Sequence, residues 1–389
     1  MLDKNNILIL CKVVDNFGDI GVVYRLARAL SDLRPDLNLT LVVSNLESFH
    51  KMASQIDPQK KIQDFRYKNS TWKILDWHLD NAECRMLNAE YGRQNAECAF
   101  NFSIILECFQ CGRPDWLESL LFSEDFDRPV QILQIDYLTA EDYAEEFHLL
   151  KSGTRKTNIK KRFFMPGFTE KTGGLIINDV CKMQNSKAGT TTCDIFKIFF
   201  FAYEDDCAAV VKGISDFQSR MRESKPDFSV LVYLAEGKSS APFEKAWKDF
   251  NSPFEIEKIP FLQQEEFDSF ILTMDFLFVR GEDSLARACL SGLPFVWQAY
   301  KQDENYQLVK VNALLDQMKN YFSKEEFQAI QDFWQSYNDY EKESQAAPLT
   351  ELLLSSATGK NKGGFQNFAK KLHENGNLAA HLLEFIDSL

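Results

Sequence analysis

Residues 6–43 read NILILCKVVDNFGDIGVVYRLARALSDLRPDLNLTLVV, and this stretch decides the fold. Asn6 to Val14 is an apolar run of the kind that forms a strand buried on both faces in a parallel sheet. DNFGD follows as a loop. Ile20, Val23, Leu26, Ala27, Leu30 and Leu33 then recur at three-and-four spacing, which predicts an amphipathic helix with Arg25 and Arg28 pointing the other way. Pro35 ends the helix, and LNLTLVVS (37–44) supplies a second strand. Strand, helix, strand is a βαβ unit, which sets the DNFGD loop at the carboxyl edge of a parallel sheet.

Working outward, FSIILECF (102–109) and PVQILQIDYL (129–138) are further strand candidates, each followed by polar, helix-compatible sequence. KRFFMPGFTEKTGG (161–174) reads as irregular surface chain, and KMQNSKAGTTT (182–192), without apolar periodicity, as an interdomain linker. The pattern then restarts. DIFKIFFFAYE (194–204), FSVLVYLAEG (228–237) and FEIEKIPFL (254–262) are strand-like, DDCAAVVKGISDF (205–217) is helical, and residues 267–300 read as helix, strand, loop, helix, turn and strand. The expected fold class is α/β, with two facing Rossmann-like, doubly wound domains. The first spans 1–184 and takes back a C-terminal helix, 365–389; the second spans 185–364.

The chain has 389 residues, 45% of them hydrophobic, with 33 Phe. That suits a globular protein of two domains. A formal net charge of -13 makes a nucleic-acid or anionic-membrane partner a poor fit. IFKIFFFAY, the nearest approach to a membrane span, is far too short and contains Lys197. The N-terminus has no signal-peptide pattern. Nine cysteines in no framework spacing indicate reduced thiols and a cytoplasmic protein. Cys108 and Cys111 form one CxxC, read as a short apolar turn with two buried thiols ahead of redox chemistry. GKNKGG (359–364) lacks P-loop order, no GxGxxG follows the first strand, and the histidines are scattered. No metal or cofactor is expected, and a nicotinamide-dependent oxidoreductase lacks its fingerprint.

Two loops carry the chemistry. In FVRGEDSLA (278–286), Asp283 and Ser284 are good N-cap residues, and a helix N-terminus binds phosphate through its N–H groups and dipole. Gly281 allows close backbone approach, and Arg280 adds a fork of donors. Together they suggest a diphosphate site. Glu282 would repel a diphosphate and is better aimed at sugar or ribose hydroxyls. An ordinary capped helix with Glu282 in solvent fits this loop as well. In the first loop, Gly18 and Gly21 bracket the helix entry. Asp15 and Asp19 are two carboxylates at a sheet's carboxyl edge, able to hold a cation or take a proton, although Asp19 alone could simply cap the helix. Phe17 between them, a large apolar residue in an exposed loop, points to contact with a ligand. Phe261, after Pro260, could stack on a base whose edge Gln264 reads, and Tyr203 with Glu204 ends the strand that opens the second domain.

VVDNFGDIGVVYRLARAL and FVRGEDSLARACLSGLPFVWQ, with IDYLTAEDY, FFMPGFTEKTGG, FAYE and PFLQQEEFD in order, resemble the protein-arginine rhamnosyltransferases called EarP, which modify bacterial elongation factor P. The resemblance implies a two-lobed GT-B fold and an inverting, metal-independent transfer of rhamnose from dTDP-β-L-rhamnose to an arginine side chain, with elongation factor P as protein partner. By position, Asp15 and Asp19 match the essential acidic residues of the amino-terminal loop, and Glu282 the required carboxylate of the donor loop. Tyr203, Phe261, Gln264, Arg280, Asp283 and Ser284 match positions lining the dTDP pocket; Phe17, Gly18 and Gly281 join the expected donor contacts. The family pattern usually has Glu where this chain has Asp136, and Ser where it has Thr139. Two alternatives stand beside this reading: a GT-B enzyme with a lipid or saccharide acceptor, which has less need of Asp15 and Asp19, and a noncatalytic nucleotide-sugar-binding protein, which would never consume its ligand.

Overall fold

A computed structural model describes residues 2–14, 17–80, 83, 102–178, 195–342 and 344–389. Asp15 and the expected linker, 182–192, lie outside the described residues. The chain divides into two compact units. The first comprises residues 1–138, 142–177 and 376–389, the second 139–141 and 178–375.

The first unit contains β1 (Asn6–Cys11), β2 (Asn38–Val43), β3 (Ile62–Tyr67), β4 (Ser70–Asp76), β5 (Ile104–Cys108), β6 (Val130–Ile135), β7 (Lys151–Ser152) and β8 (Ile159–Phe164). Among the described residues these form one sheet in the order β3-β4-β2-β1-β5-β6-β8-β7. The strands from β4 through β8 in that order are parallel, and β3 and β7 add antiparallel edges. β1 explains its own continuous apolar run. Ile7, Ile9 and Cys11 enter the core on one face, and Leu8 and Leu10 the core on the other, so neither face meets water.

The helix Gly18–Leu33 covers the first of these faces, burying Ile20, Val23, Leu26, Ala27 and Leu30 as its periodicity requires. Its arginines correct the expectation: Arg25 and Arg28 are 1% and 5% exposed. The helix is covered around most of its circumference, so its polar side is buried too. The Arg28 guanidinium lies over the Tyr24 ring, 4.8 Å from its centroid, a contact open to a planar, weakly hydrated cation.

The segment KRFFMPGFTEKTGG also departs from expectation. It is β8 followed by irregular chain that is largely buried, not a surface loop. Its glycines let the C-terminal helix Leu378–Ser388 dock closely. A Cβ on Gly173 would come within 2.7 Å of both Leu378 and Phe164, and one on Gly174, at φ +80°, within 2.7 Å of the Gly376 carbonyl. Leu378 N–H donates to the Leu175 carbonyl at 2.9 Å. Asn377 exchanges two hydrogen bonds with the Ile177 backbone and caps the helix through Ala379 N–H. Leu378, Ala379, Leu382, Leu383 and Ile386 then complete the first unit's core. The helix before it, Lys362–Glu374, packs instead on the helix Glu282–Ser291. The return to the first unit therefore begins at residue 376 and not at 365.

The second unit contains β9 (Ile195–Phe200), β10 (Ser229–Ala235), β11 (Glu255–Ile259), β12 (Phe276–Arg280) and β13 (Phe295–Gln298). Their order is β11-β10-β9-β12-β13, all parallel. In each sheet the chain builds to one side of its first strand and then crosses to the other. β1 thus lies between β2 and β5, and β9 between β10 and β12. At such a reversal the connections leave in opposite directions and a crevice opens beyond the carboxyl ends of the strands. The chain passes from β1 to the helix Gly18–Leu33 at this point. The loops after β9 and β12 leave the second sheet at the equivalent point.

Candidate active site

In the first unit, Asp19 does not cap its helix. It lies in the first helical turn, 3% exposed, and turns back toward the strand it follows. Its Oδ2 accepts the Val14 N–H at 2.7 Å, and its Oδ1 accepts the Tyr137 hydroxyl at 3.3 Å. A backbone donor and a side-chain donor thus fix the two carboxylate oxygens separately. The N-cap is Phe17, with no side-chain capping bond. Phe17 is not the exposed contact residue that its loop position suggests. It is half-buried against the first unit's core, and the Lys51 ammonium lies 5.5 Å from its ring centroid. Gly18, exposed, is the first residue of the helix.

Sequence reasoning did not assign Tyr137 to the site, nor the three residues that hold it, Phe109, Gln110 and Asp136. Phe109 stacks on the Tyr137 ring with centroids 4.7 Å apart and planes 22° apart. Asp136 accepts the Tyr137 N–H at 2.8 Å and the Gln110 amide at 3.0 Å. Asp136 and Tyr137 follow β6 directly, whereas Phe109 and Gln110 follow β5 within the CxxC turn. The thiols of that turn are suited to packing: burial pushes Cys111 up to about 12, and Cys11 and Cys108 well above the ordinary thiol value. Such groups carry little thiolate and are poor nucleophiles.

In the second unit the loop between β12 and the helix Glu282–Ser291 is built differently from its expected form. The helix Glu282–Ser291 begins one to two residues before the expected caps Asp283 and Ser284, because Gly281 is its N-cap, with φ 67° and ψ −173°. Only glycine adopts that conformation without strain. Glu282, Asp283 and Ser284 therefore form the first turn, whose N–H groups have no acceptor within the helix, and Gly281 supplies no side-chain cap of its own. Asp283 leans toward the buried Arg287, 4.0 Å away. The Gly281 carbonyl accepts the Trp297 indole N–H at 3.2 Å.

Arg280 lies with its guanidinium carbon 4.6 Å from the ring centroids of both Phe201 and Tyr203. These rings hold the face of the fork and leave its N–H groups to act in the plane. Tyr203 is itself fixed, its N–H donating to Gln298 Oε1 at 2.6 Å and its ring meeting Tyr300 edge-on at 5.3 Å. Phe201 and Gln298 were missed. The first is hidden in an apolar run, but the second, a polar residue ending the buried strand FVWQ, is a readable signal. Phe261 and Gln264 sit at the same carboxyl edge, after β11, two strands from β9. Phe261 is 52% exposed, whereas Gln264 is buried as the first residue of the helix Gln264–Ile271. Among the described residues no group of three His, Cys, Asp or Glu side chains is arranged to hold a metal ion, and no helix is long and apolar enough to cross a membrane.

Comparison with known proteins bears on this geometry. The model of the family described as Elongation-Factor P (EF-P) rhamnosyltransferase EarP matches residues 7–387. The chain is 27% identical over 346 residues to a protein-arginine rhamnosyltransferase of Pseudomonas aeruginosa, covering 85% of this chain and 86% of that protein. It is 27% identical over 335 residues to one of Neisseria meningitidis serogroup B, covering 82% and 80%. Among solved structures, one reported as the structural basis for EarP-mediated arginine glycosylation of translation elongation factor EF-P superposes with a TM-score of 0.53 at 18% identity, over 98% of this chain and 99% of that one. A UDP-glucose:anthocyanidin 3-O-glucosyltransferase in complex with UDP gives 0.52 at 10% identity, covering 100% of both chains. These structural likenesses give the fold, the GT-B type built from Rossmann-like α/β units.

Proposed function

Because this chain belongs to the EarP family of elongation factor P rhamnosyltransferases, we propose that it moves L-rhamnose from dTDP-β-L-rhamnose to an arginine side chain of elongation factor P, inverting the sugar and using no metal. The acceptor poses the chemical problem. A guanidinium stays protonated in water and its nitrogen lone pairs are delocalised. To form a bond to the sugar's anomeric carbon, one nitrogen must regain electron density and shed a proton. A carboxylate held against it can localise the charge and receive that proton as the bond forms. Asp19 has this role, with Asp15 gripping the other side of the fork. The C–O bond to the diphosphate breaks as the C–N bond forms, and dTDP leaves with the electron pair.

The second unit's loop handles the anion. The first-turn N–H groups behind Gly281 and the flat Arg280 fork stabilise the diphosphate as its charge grows. Phe261 stacks on the thymine, and Glu282 takes the rhamnose hydroxyls. The observation that carries the reading is Asp19 itself: a carboxylate 3% exposed, fixed at both oxygens, at the carboxyl edge of the sheet where the chain reverses direction. The test is to mix the chain with dTDP-rhamnose and elongation factor P and to follow intact mass. One deoxyhexose on one arginine is expected. Binding of dTDP without any mass gain would sink the proposal.

A further inference from the structure

The carboxyl edge of the first sheet holds a piece of strained backbone that the reaction above does not use. Phe109 and Gln110 have φ of 59° and 53°, in the left-handed region that L side chains rarely adopt. Their turn is closed by the Cys111 N–H on the Cys108 carbonyl at 3.2 Å. Glycine at either position would relieve the strain. The chain instead holds a ring and an amide there, and each makes a definite contact. The Phe109 ring covers the Tyr137 ring. The Gln110 amide holds Asp136, whose other oxygen holds the Tyr137 N–H. The Phe109 N–H is tied to the Ile135 carbonyl at 2.7 Å, which joins the turn to the strand that carries Tyr137. The strained pair thus grips Tyr137 by its ring face and, through Asp136, by its backbone. Non-glycine residues in sparsely populated conformations persist where the surroundings over-determine them, often at functional sites.

We propose that Tyr137 is a positioning residue for Asp19, held in place by the Phe109–Gln110 turn. The inference rests on reading Asp19 as the group that receives the acceptor's proton. The Val14 N–H fixes one oxygen of that carboxylate and the Tyr137 hydroxyl the other. Without the Tyr137 bond, the carboxylate loses one of its restraints and turns more readily about its broad terminal torsion. It then meets the guanidinium nitrogen at a spread of angles, and proton transfer depends on that angle.

The test is Tyr137→Phe, which keeps the ring on Phe109 and removes only the hydroxyl. At saturating donor and acceptor, kcat falls about tenfold, in keeping with the loss of one long hydrogen bond to a charged acceptor. The donor KM and the dTDP affinity stay within about twofold, because an interaction serving the chemical step is lost and not uniform binding. The thermal melting temperature falls by no more than a few degrees, the cost of one lost hydrogen bond to a buried carboxylate. A kcat close to that of the wild-type chain overturns the inference. So does a loss of kcat accompanied by weaker dTDP binding or a larger fall in melting temperature, which is the mark of general packing. If the wild-type chain transfers nothing in the same assay, both this inference and the function it rests on fall; wild-type transfer with an unaffected Tyr137→Phe sinks the inference alone.

Discussion

Gly281→Ala asks whether the proposed donor loop works through its backbone. An alanine Cβ would find open space there, since the nearest heavy atom outside its chain neighbours is the Tyr203 hydroxyl at an ordinary contact distance of 3.9 Å. Crowding therefore contributes nothing, and the whole effect comes from φ 67° with ψ −173°, a region that only glycine enters freely. Holding alanine there costs about 3 kcal/mol, the top of the range for strained backbone. In a unit of this size that lowers its melting temperature by about 6–12 °C. If the loop relaxes instead, the first turn shifts and its N–H groups lose their aim. Affinity for dTDP then falls by at least about tenfold, the equivalent of one charge-assisted hydrogen bond. Gly292→Ala is the matched control. Gly292 is the C-cap of the same helix at φ 66° and ψ 9°, so alanine there costs at least about 1 kcal/mol from its backbone conformation and leaves dTDP binding alone. Calorimetric titration with dTDP and thermal melts of both variants decide the matter. If Gly281→Ala melts and binds like the wild-type chain, the backbone of this loop has no part in holding the diphosphate.

Asp19→Asn abolishes transfer but leaves dTDP affinity within about twofold and stability within about 1 kcal/mol: the amide oxygen can still accept the Val14 N–H, and the Tyr137 hydroxyl can turn to accept from the amide nitrogen. Loss of dTDP binding along with transfer, measured by calorimetry, would mark Asp19 as structural. Phe261→Ala weakens dTDP binding about tenfold, as the loss of one ring stacked on a base does, with no change in melting, because the ring is half exposed; unaltered affinity removes it from the site. His148 titrates at about 4, depressed first by burial and then by His381. Its folded-state value lies below the unfolded one, so the unfolded chain takes up a proton first as pH falls. Stability is therefore full above about pH 6.5 and declines from there toward pH 4, by less than about 1.4 kcal/mol per pH unit because the ring is only partly shielded from water. His148→Asn, which can still accept the Met165 N–H that His148 Nδ1 accepts, should flatten this limb in melts run from pH 7 to pH 4; an equally steep limb in the variant assigns it to other groups.

The parallel cores were readable because a strand buried on both faces leaves a continuous apolar run, as β1 and β12 do. Loop positions followed from the strands, so the Asp19 and Arg280 loops could be located before any coordinates. What escaped were features that depend on partners far away in sequence. PGFTEKTGG looks like surface chain because its glycines are read locally as turns; their use is to admit Leu378 and the backbone near Gly376. Arg25 and Arg28 look solvent-facing because periodicity locates one buried stripe and cannot say that a helix is covered on its other side as well. The left-handed Phe109–Gln110 turn carries no glycine or asparagine to announce it. The helix start at Gly281 was misjudged for a related reason. Asp and Ser favour caps statistically, but a glycine with extended ψ begins the helix earlier.

The two loops occupy the same topological station and yet suit opposite charges, and the difference traces to how each helix begins. In the first unit the positive end of the helix meets a carboxylate of its own chain. Asp19 lies in the first turn and is turned back onto the strand end. A helix end already compensated by a buried anion has little left to offer a phosphate, whereas the carboxylate itself suits a cation. In the second unit the helix begins at a glycine with no side-chain cap. Its two acidic first-turn residues do not cancel the end in the same way: Asp283 leans toward Arg287, and Arg280 adds a positive fork one residue before the cap. One βαβ plan thus yields a loop suited to a cation or one suited to an anion according to whether the first turn closes on the strand through a carboxylate or begins at a glycine. A reaction that joins a guanidinium to a sugar leaving a diphosphate requires one of each.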